Sequence, residues 1–185
     1  QYNAWGNLTQ KPGLGSMFYG QPNASCTLRP TAGPHAVTNA NGIGYCYDQA
    51  GNQVSSTDGR VMKYSAADQL VQVSLSNTNK ASRFYYGPGR SRYKRQDFGN
   101  AAFSGVPKTT LYVGSVERIT HSSGVVETKR YIAGIAIISS RSDGGYKQEY
   151  LFTDHLGSTD VITDRFGNFD NLCQSFPDGI RCREG

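Results

Sequence analysis

Apolar and polar positions alternate along this chain in short runs. Val71-Gln72-Val73-Ser74-Leu75 alternates strictly, and Thr110-Leu111-Tyr112-Val113 follows more loosely. A period of two predicts strands with one face half buried, and no run shows the wider spacing of an amphipathic helix. Turn formers stand between the runs: Gly51-Asn52, Asp58-Gly59, Gly87-Pro88-Gly89, Ser123-Gly124, Asp143-Gly144-Gly145 and Phe166-Gly167-Asn168. Such close punctuation suits hairpins and leaves no room for strand–helix–strand crossovers. Residues 10–45 are poorer in strand signal and richer in Pro, Gly, Asn and Ala, so they predict a long irregular excursion. The expected fold is all-β, with successive antiparallel hairpins in a strongly curved sheet.

Within this pattern one unit repeats. An Asp or Asn followed by two residues, Gly and Asn occurs at Asn3-Ala4-Trp5-Gly6-Asn7, Asp48-Gln49-Ala50-Gly51-Asn52 and Asp164-Arg165-Phe166-Gly167-Asn168. Tyr2 and Tyr47 immediately precede the first two copies, and a decayed copy follows at Tyr64-Ser65-Ala66-Ala67-Asp68. The side-chain oxygen of Asp or Asn accepts from backbone amides further along the turn. Gly in fourth place takes positive φ and closes a tight loop. The preceding Tyr is expected to bury its ring against the next hairpin while its hydroxyl reaches a polar edge. A hairpin of this kind cannot bury its own face and must stack on neighbours.

Composition strengthens the hairpin reading, since the 185 residues include 22 Gly and 12 Tyr. The longest apolar stretch, Ile132–Ile138, falls far short of the roughly 20 residues a membrane-spanning helix needs. Gln1–Asn7 reads as the middle of a turn, so the chain is expected to be a piece of something longer. Net charge is +5, and Lys80, Arg83, Arg90, Arg92, Lys94 and Arg95 gather around Tyr85, Tyr86 and Tyr93. Cations interleaved with aromatics can form a nucleic-acid surface. The preferred reading is a solvated hairpin with a cationic face, because no other nucleic-acid motif accompanies it. Cys26, Cys46, Cys173 and Cys182 contain no CxxC pair, which is poor spacing for structural zinc. Three disulfide pairings are formally possible; Cys26–Cys46 with Cys173–Cys182 is the sequence-local choice, and free thiols in a reducing compartment are the alternative. Asn7-Leu8-Thr9 and Asn23-Ala24-Ser25 are glycosylation sequons only in a glycosylating host.

Several strings now make a family resemblance specific. Tyr47-Asp48-Gln49-Ala50-Gly51-Asn52 resembles the Tyr-Asp repeat of Rhs/YD-repeat proteins. Tyr112–Thr120, Lys129–Gly134, Tyr150–Thr159 and Val161–Asp164 with Gly167-Asn168 are similar in order and spacing to the Rhs repeat-associated core. Its most specific string is Asp154-His155-Leu156-Gly157-Ser158. The resemblance covers most of residues 36–170 and divides the chain into a degenerate repeat with an irregular excursion (1–35), YD-type repeats (36–100) and the core with a short tail (101–185). It implies a segment of a hollow β-shell in a secreted toxin or surface protein. The implied partners are neighbouring repeats of a parent chain and an enclosed toxin segment or cell-surface target; the residues themselves favour neither a nucleic-acid partner nor a membrane span.

The same resemblance sets limits. Many relatives end in a self-cleaving aspartyl segment with repeated Asp-Pro-x-Gly strings, whereas this tail carries Pro177-Asp178-Gly179 without a second such string. No catalytic aspartate is therefore carried over, and neither a toxin domain within the residues after Asn168 nor a cofactor is expected. Asp154, His155 and Ser158 suggest a nucleophilic triad only by proximity in sequence; the simpler reading is a turn whose polar side chains bond its backbone. His35 and His121 form no evident metal set. The alternative to a structural segment is a free-standing extracellular module that recognises glycan or protein through a Tyr-rich face, with Trp5 a candidate platform.

Overall fold

The computed structural model describes residues 1–185 apart from 14, 24, 25, 30, 177, 178 and 185, and describes side chains as far as Phe169. The structure is all-β. Strands β1 (Gln10–Lys11), β2 (Gly15–Tyr19), β3 (Val37–Ala40), β4 (Ile43–Tyr47), β5 (Gln53–Ser56), β6 (Arg60–Tyr64), β7 (Leu70–Leu75) and β8 (Lys80–Tyr86) come first. They are followed by β9 (Arg92–Phe98), β10 (Lys108–Val113), β11 (Val116–Thr120), β12 (Val126–Ile132) and β13 (Ala136–Arg141). The last four are β14 (Tyr146–Thr153), β15 (Thr159–Asp164), β16 (Phe169–Phe176) and β17 (Gly179–Glu184). Among the described residues the only helical element is a single 3-10 turn, Ser76–Thr78.

The chain forms two units. One comprises Gln1–Tyr85 with Gln96–Pro107, and the other Tyr86–Arg95 with Lys108–Gly185. In the first unit β1 to β8 pair in sequence order, every pair antiparallel. In the second, β10 to β17 do the same. Apart from β2 and β3, which a longer connection joins, local pairing of this sort follows from turns too short for anything but a hairpin.

The irregular excursion is shorter than the composition predicts. Two strands, Gln10–Lys11 and Gly15–Tyr19, occupy the front of residues 10–45, and Val37–Ala40 and Ile43–Tyr47 occupy its end. Met17, Phe18 and Tyr19 supply apolar and aromatic strand formers, and the pairing of Met17 with Ala40 overrides the Gly-rich surroundings. Asn41 and Gly42 both take positive φ between β3 and β4, the pair that a two-residue hairpin loop demands.

The alternation of Val71–Leu75 does mark a strand, but it does not sort into a buried and an exposed face. Every residue of β7 is partly exposed. Among the described residues the buried apolar ones are few: Cys26, Ala81 and Phe98 in the first unit, Ile119 and Ala136 in the second. No large side chain among the described residues is completely buried. Each unit is therefore held by hydrogen-bond ladders and same-face neighbours more than by a deep core.

Candidate functional site

The functional candidate is the repeated loop and the surfaces it sets up. At Asp48–Asn52 the Asp48 amide donates to the Asn52 carbonyl (2.9 Å) and the Gly51 amide donates back to the Asp48 carbonyl (3.1 Å). This is a type I turn closed by a left-handed residue, the commonest three-residue hairpin loop. The same two bonds recur in loops beginning at Asn3, Ser65, Gly87, His121, Arg141, Asp154 and Asp164. The fourth residue always has positive φ, from 56° at Asp68 to 92° at Gly51. The unit read three times in the sequence is thus present eight times among the described residues.

Side chains lock these loops from within. Asp48 Oδ1 accepts from the Asn52 amide at 2.8 Å, and Asn52 Nδ2 donates to Asp48 Oδ2 at 3.1 Å. Asp164 accepts from the amides of Phe166 and Asn168, and its second oxygen from Asn168 Nδ2. The Asn168 side chain accordingly holds the Asp164 carboxyl below the ordinary carboxylate range. In the decayed copy Ser65 Oγ replaces the carboxylate, accepting from Ala67 and Gln69, while Asp68 takes the place of Gly. Asn52 Nδ2 also donates to Asp68 Oδ1 at 2.9 Å, so one loop is tied to the next in the first unit. Arg141 builds its loop differently, by a two-pronged ion pair to Asp143 (3.0 and 2.7 Å) that holds the Asp143 carboxyl at about 2.

The tyrosines behave unequally. Tyr47 is half-buried and its hydroxyl donates to the Val37 carbonyl at 2.7 Å, as expected of a ring that packs while its hydroxyl finds a polar edge. Burial raises its pKa, with Tyr45 and Tyr19 adding to the effect. Tyr2 departs from that expectation: it is 72% exposed, at a loop bracketed by the Tyr2–Leu8 bridge. Trp5 is 71% exposed at the same loop.

Cys26 and Cys46 form the expected disulfide, with Cα atoms 5.2 Å apart. Cys173 faces Cys182 in the register of β16 and β17, but their side chains lie outside the described residues. The sequon at Asn7 is engaged in structure: Asn7 is buried, its Nδ2 donates to the Pro34 carbonyl at 2.9 Å and its Oδ1 meets His35 Nδ1 at 2.7 Å. In the cationic hairpin Arg83 lies over Phe98 and Phe103 (5.3 and 4.8 Å to the ring centres), and Arg92 lies over Tyr112 (4.8 Å). Those guanidiniums serve ring packing.

Asp154, His155 and Ser158 come together in a loop, not along a strand. Asp154 Oδ1 accepts from the amides of Leu156 (2.8 Å) and Ser158 (2.9 Å), Gly157 has φ of 83°, and His155 is exposed at the apex. The carboxylate that would orient a catalytic His is committed to backbone amides. His121, by contrast, sits 2.9 Å from Glu127, beside Lys129. Among the described residues no three His, Cys, Asp or Glu side chains group as a metal set.

Two features go beyond the sequence reading. The turns named at Ser123-Gly124 and Asp143-Gly144-Gly145 belong to loops, His121–Val125 and Arg141–Gly145, that carry the unit's bonding without its leading Asp. In the second unit the register also gathers charge on one face: Glu117, Glu127, Glu149 and Asp164 share a face of β11 to β15 with Lys129, Arg141 and Lys147. Arg118 and Arg130 lie on the other, beside Tyr150 and Phe152.

Comparison with known proteins places the fold. No family model matches the chain, and no curated protein matches it. Among solved structures it is similar to the crystal structure of TcdB2–TccC3–TEV (TM-score 0.60, 17% identity, 72% of this chain and 7% of that one). It is also similar to the Photorhabdus luminescens Tc holotoxin pore carrying a TccC3 mutation (TM-score 0.54, 14% identity, 75% and 10%). A further TcdB2–TccC3 complex aligns over 97% of this chain and 12% of its own, with a TM-score of 0.52 and 14% identity. The chain thus spans about a tenth of the length of these toxin chains and shares their fold over that span.

Proposed function

We propose that this chain is a non-catalytic wall segment of a secreted Rhs/YD-repeat protein, contributing strands to a β-shell that encloses or displays an effector. The observation that carries this reading is the eightfold loop on hairpins that bury almost no core. Units built from one supersecondary element reach stability by stacking on more of their kind. The fold likeness to Tc toxin structures supports the same reading, as do the resemblance of Tyr47–Asn52 to the Tyr-Asp repeat and of Asp154–Ser158 to the Rhs repeat-associated core. The partners are then the neighbouring repeats of the parent chain, and the location is outside the producing cell. Among the described residues no helix is long and apolar enough to cross a membrane, which is compatible with that location.

Reading the flanking coding sequence tests the proposal. It is expected to continue on at least one side with loops of the same spacing, an acceptor residue followed three places later by Gly. A stop codon and a start signal immediately bracketing these residues would overturn it.

A further inference from the structure

On the carboxylate-bearing face of the second unit, Lys129, Ser139 and Lys147 stand directly opposite one another on β12, β13 and β14. Glu127 stands opposite Arg141 in the adjoining row. With Glu149 these residues line a cavity of about 530 Å³. Ser139 forms part of its floor; it is 6% exposed, and its Oγ has no hydrogen-bond partner. Glu127 and Glu149 are the deep charges, each with 13% of its side chain exposed, whereas the Lys129 and Lys147 side chains are 33% and 48% exposed.

We propose that this cavity binds a neutral, polyhydroxylated ligand of the sugar-ring class. Charge balance selects the class. Lys129 pairs with Glu127 (3.6 Å), Lys147 with Glu149 (3.0 Å) and Arg141 with Asp143 (2.7 Å), so three cations already answer three carboxylates. A ligand with net charge has to break one of these pairs and strand a partly buried partner. A sugar hydroxyl donates to a carboxylate and accepts from an ammonium at once, so it inserts between the members of a pair without disturbing neutrality. Ser139 Oγ, lacking a protein partner, is the remaining donor and acceptor such a ligand satisfies. At the wall, Gly145 lets the Arg141 side chain pack close, since an added Cβ would stand 2.8 Å from Arg141 Cδ. The inference concerns ligand recognition and does not depend on the wall role.

The test is a ¹H–¹⁵N NMR titration of the whole chain with the methyl glycosides of glucose, galactose and N-acetylglucosamine, alongside inorganic phosphate and glycine. At least one glycoside is expected to give saturable shifts at amides of β12 to β14, weakened at least about tenfold in Ser139→Ala. Ser139→Ala is also expected to unfold at the same temperature or higher, because the removed hydroxyl has no partner to lose. Absence of binding by all three glycosides at tens of millimolar overturns the proposal. Saturation by phosphate or glycine in their place, or a lowered melting temperature for Ser139→Ala, overturns it as well.

Discussion

At the scale of single residues the chain depends on a few backbone positions. Gly51 has φ of 92° and nothing within 4 Å of where a Cβ would stand, so Gly51→Ala meets only the backbone cost of a left-handed residue. That cost is about 1–2 kcal/mol, and the urea midpoint is expected to fall accordingly; an unchanged midpoint would show that the loop relaxes into another turn type. Gly59 shares positive φ, but its Cβ would also collide with Ser76 Oγ across the neighbouring hairpin, so Gly59→Ala is expected to cost more than Gly51→Ala in the same measurement. The loop carboxylates add a pH dependence. Asn168 holds Asp164, and Arg141 holds Asp143, below the ordinary carboxyl value of about 3.9. A depressed folded-state pKa stabilises the fold at pH above the unfolded value and loses that contribution as acid protonates the folded group. The denaturant midpoint is therefore expected to drop between roughly pH 4 and pH 2, and to drop less in Asp164→Asn. The size of the drop should be modest, since both groups are solvent-exposed.

At the scale of elements the hairpins are nearly autonomous in geometry but not in stability. Each is closed by its own loop, yet β4 draws on material far away in sequence: Cys46 is bridged to Cys26, Tyr47 reaches the Val37 carbonyl, and Asn52 ties its loop to Asp68. The bridge closes a separation of 20 residues and fixes a segment that has few strand contacts of its own. Cys46→Ser is expected to lower stability by about 2–4 kcal/mol in non-reducing buffer. Wild type and variant unfolding at equal denaturant would mean the segment is held by its hydrogen bonds alone. Non-reducing peptide mapping should recover the 26–46 pair, and the register of β16 with β17 makes 173–182 the expected second pair.

At the scale of the whole molecule, the shallow burial bears on activity. A hydrolase needs a nucleophile, a base and an oxyanion site converging in one cleft. Asp154 instead gives its carboxylate oxygen to two amides of its own loop, with His155 at the exposed apex. The purified chain, incubated for days and weighed by mass spectrometry, is expected to keep its intact mass, and His155→Ala is expected to alter solubility or stability only. Pro177 and Asp178 lie outside the described residues, so the cleavage question there is answered by the measurement: a cut near Asp178 that vanishes in Asp178→Asn would establish a protease.

What the sequence by itself determined was local. The Asp-x-x-Gly-Asn spacing specified its loops because every bond in them joins residues at most four apart, and Asp48 and Asp164 carry that information within five positions. Cys26–Cys46 was legible for the same reason of proximity. The tertiary structure alone decided what depends on register. The strand at Gly15–Tyr19 exists because Met17 meets Ala40, and Ser139 lies between two lysines because three strands align there. Alternation along Val71–Leu75 specified a strand but not a buried face. Burial is set by what lies against a sheet, and in this chain same-face neighbours half cover both sides.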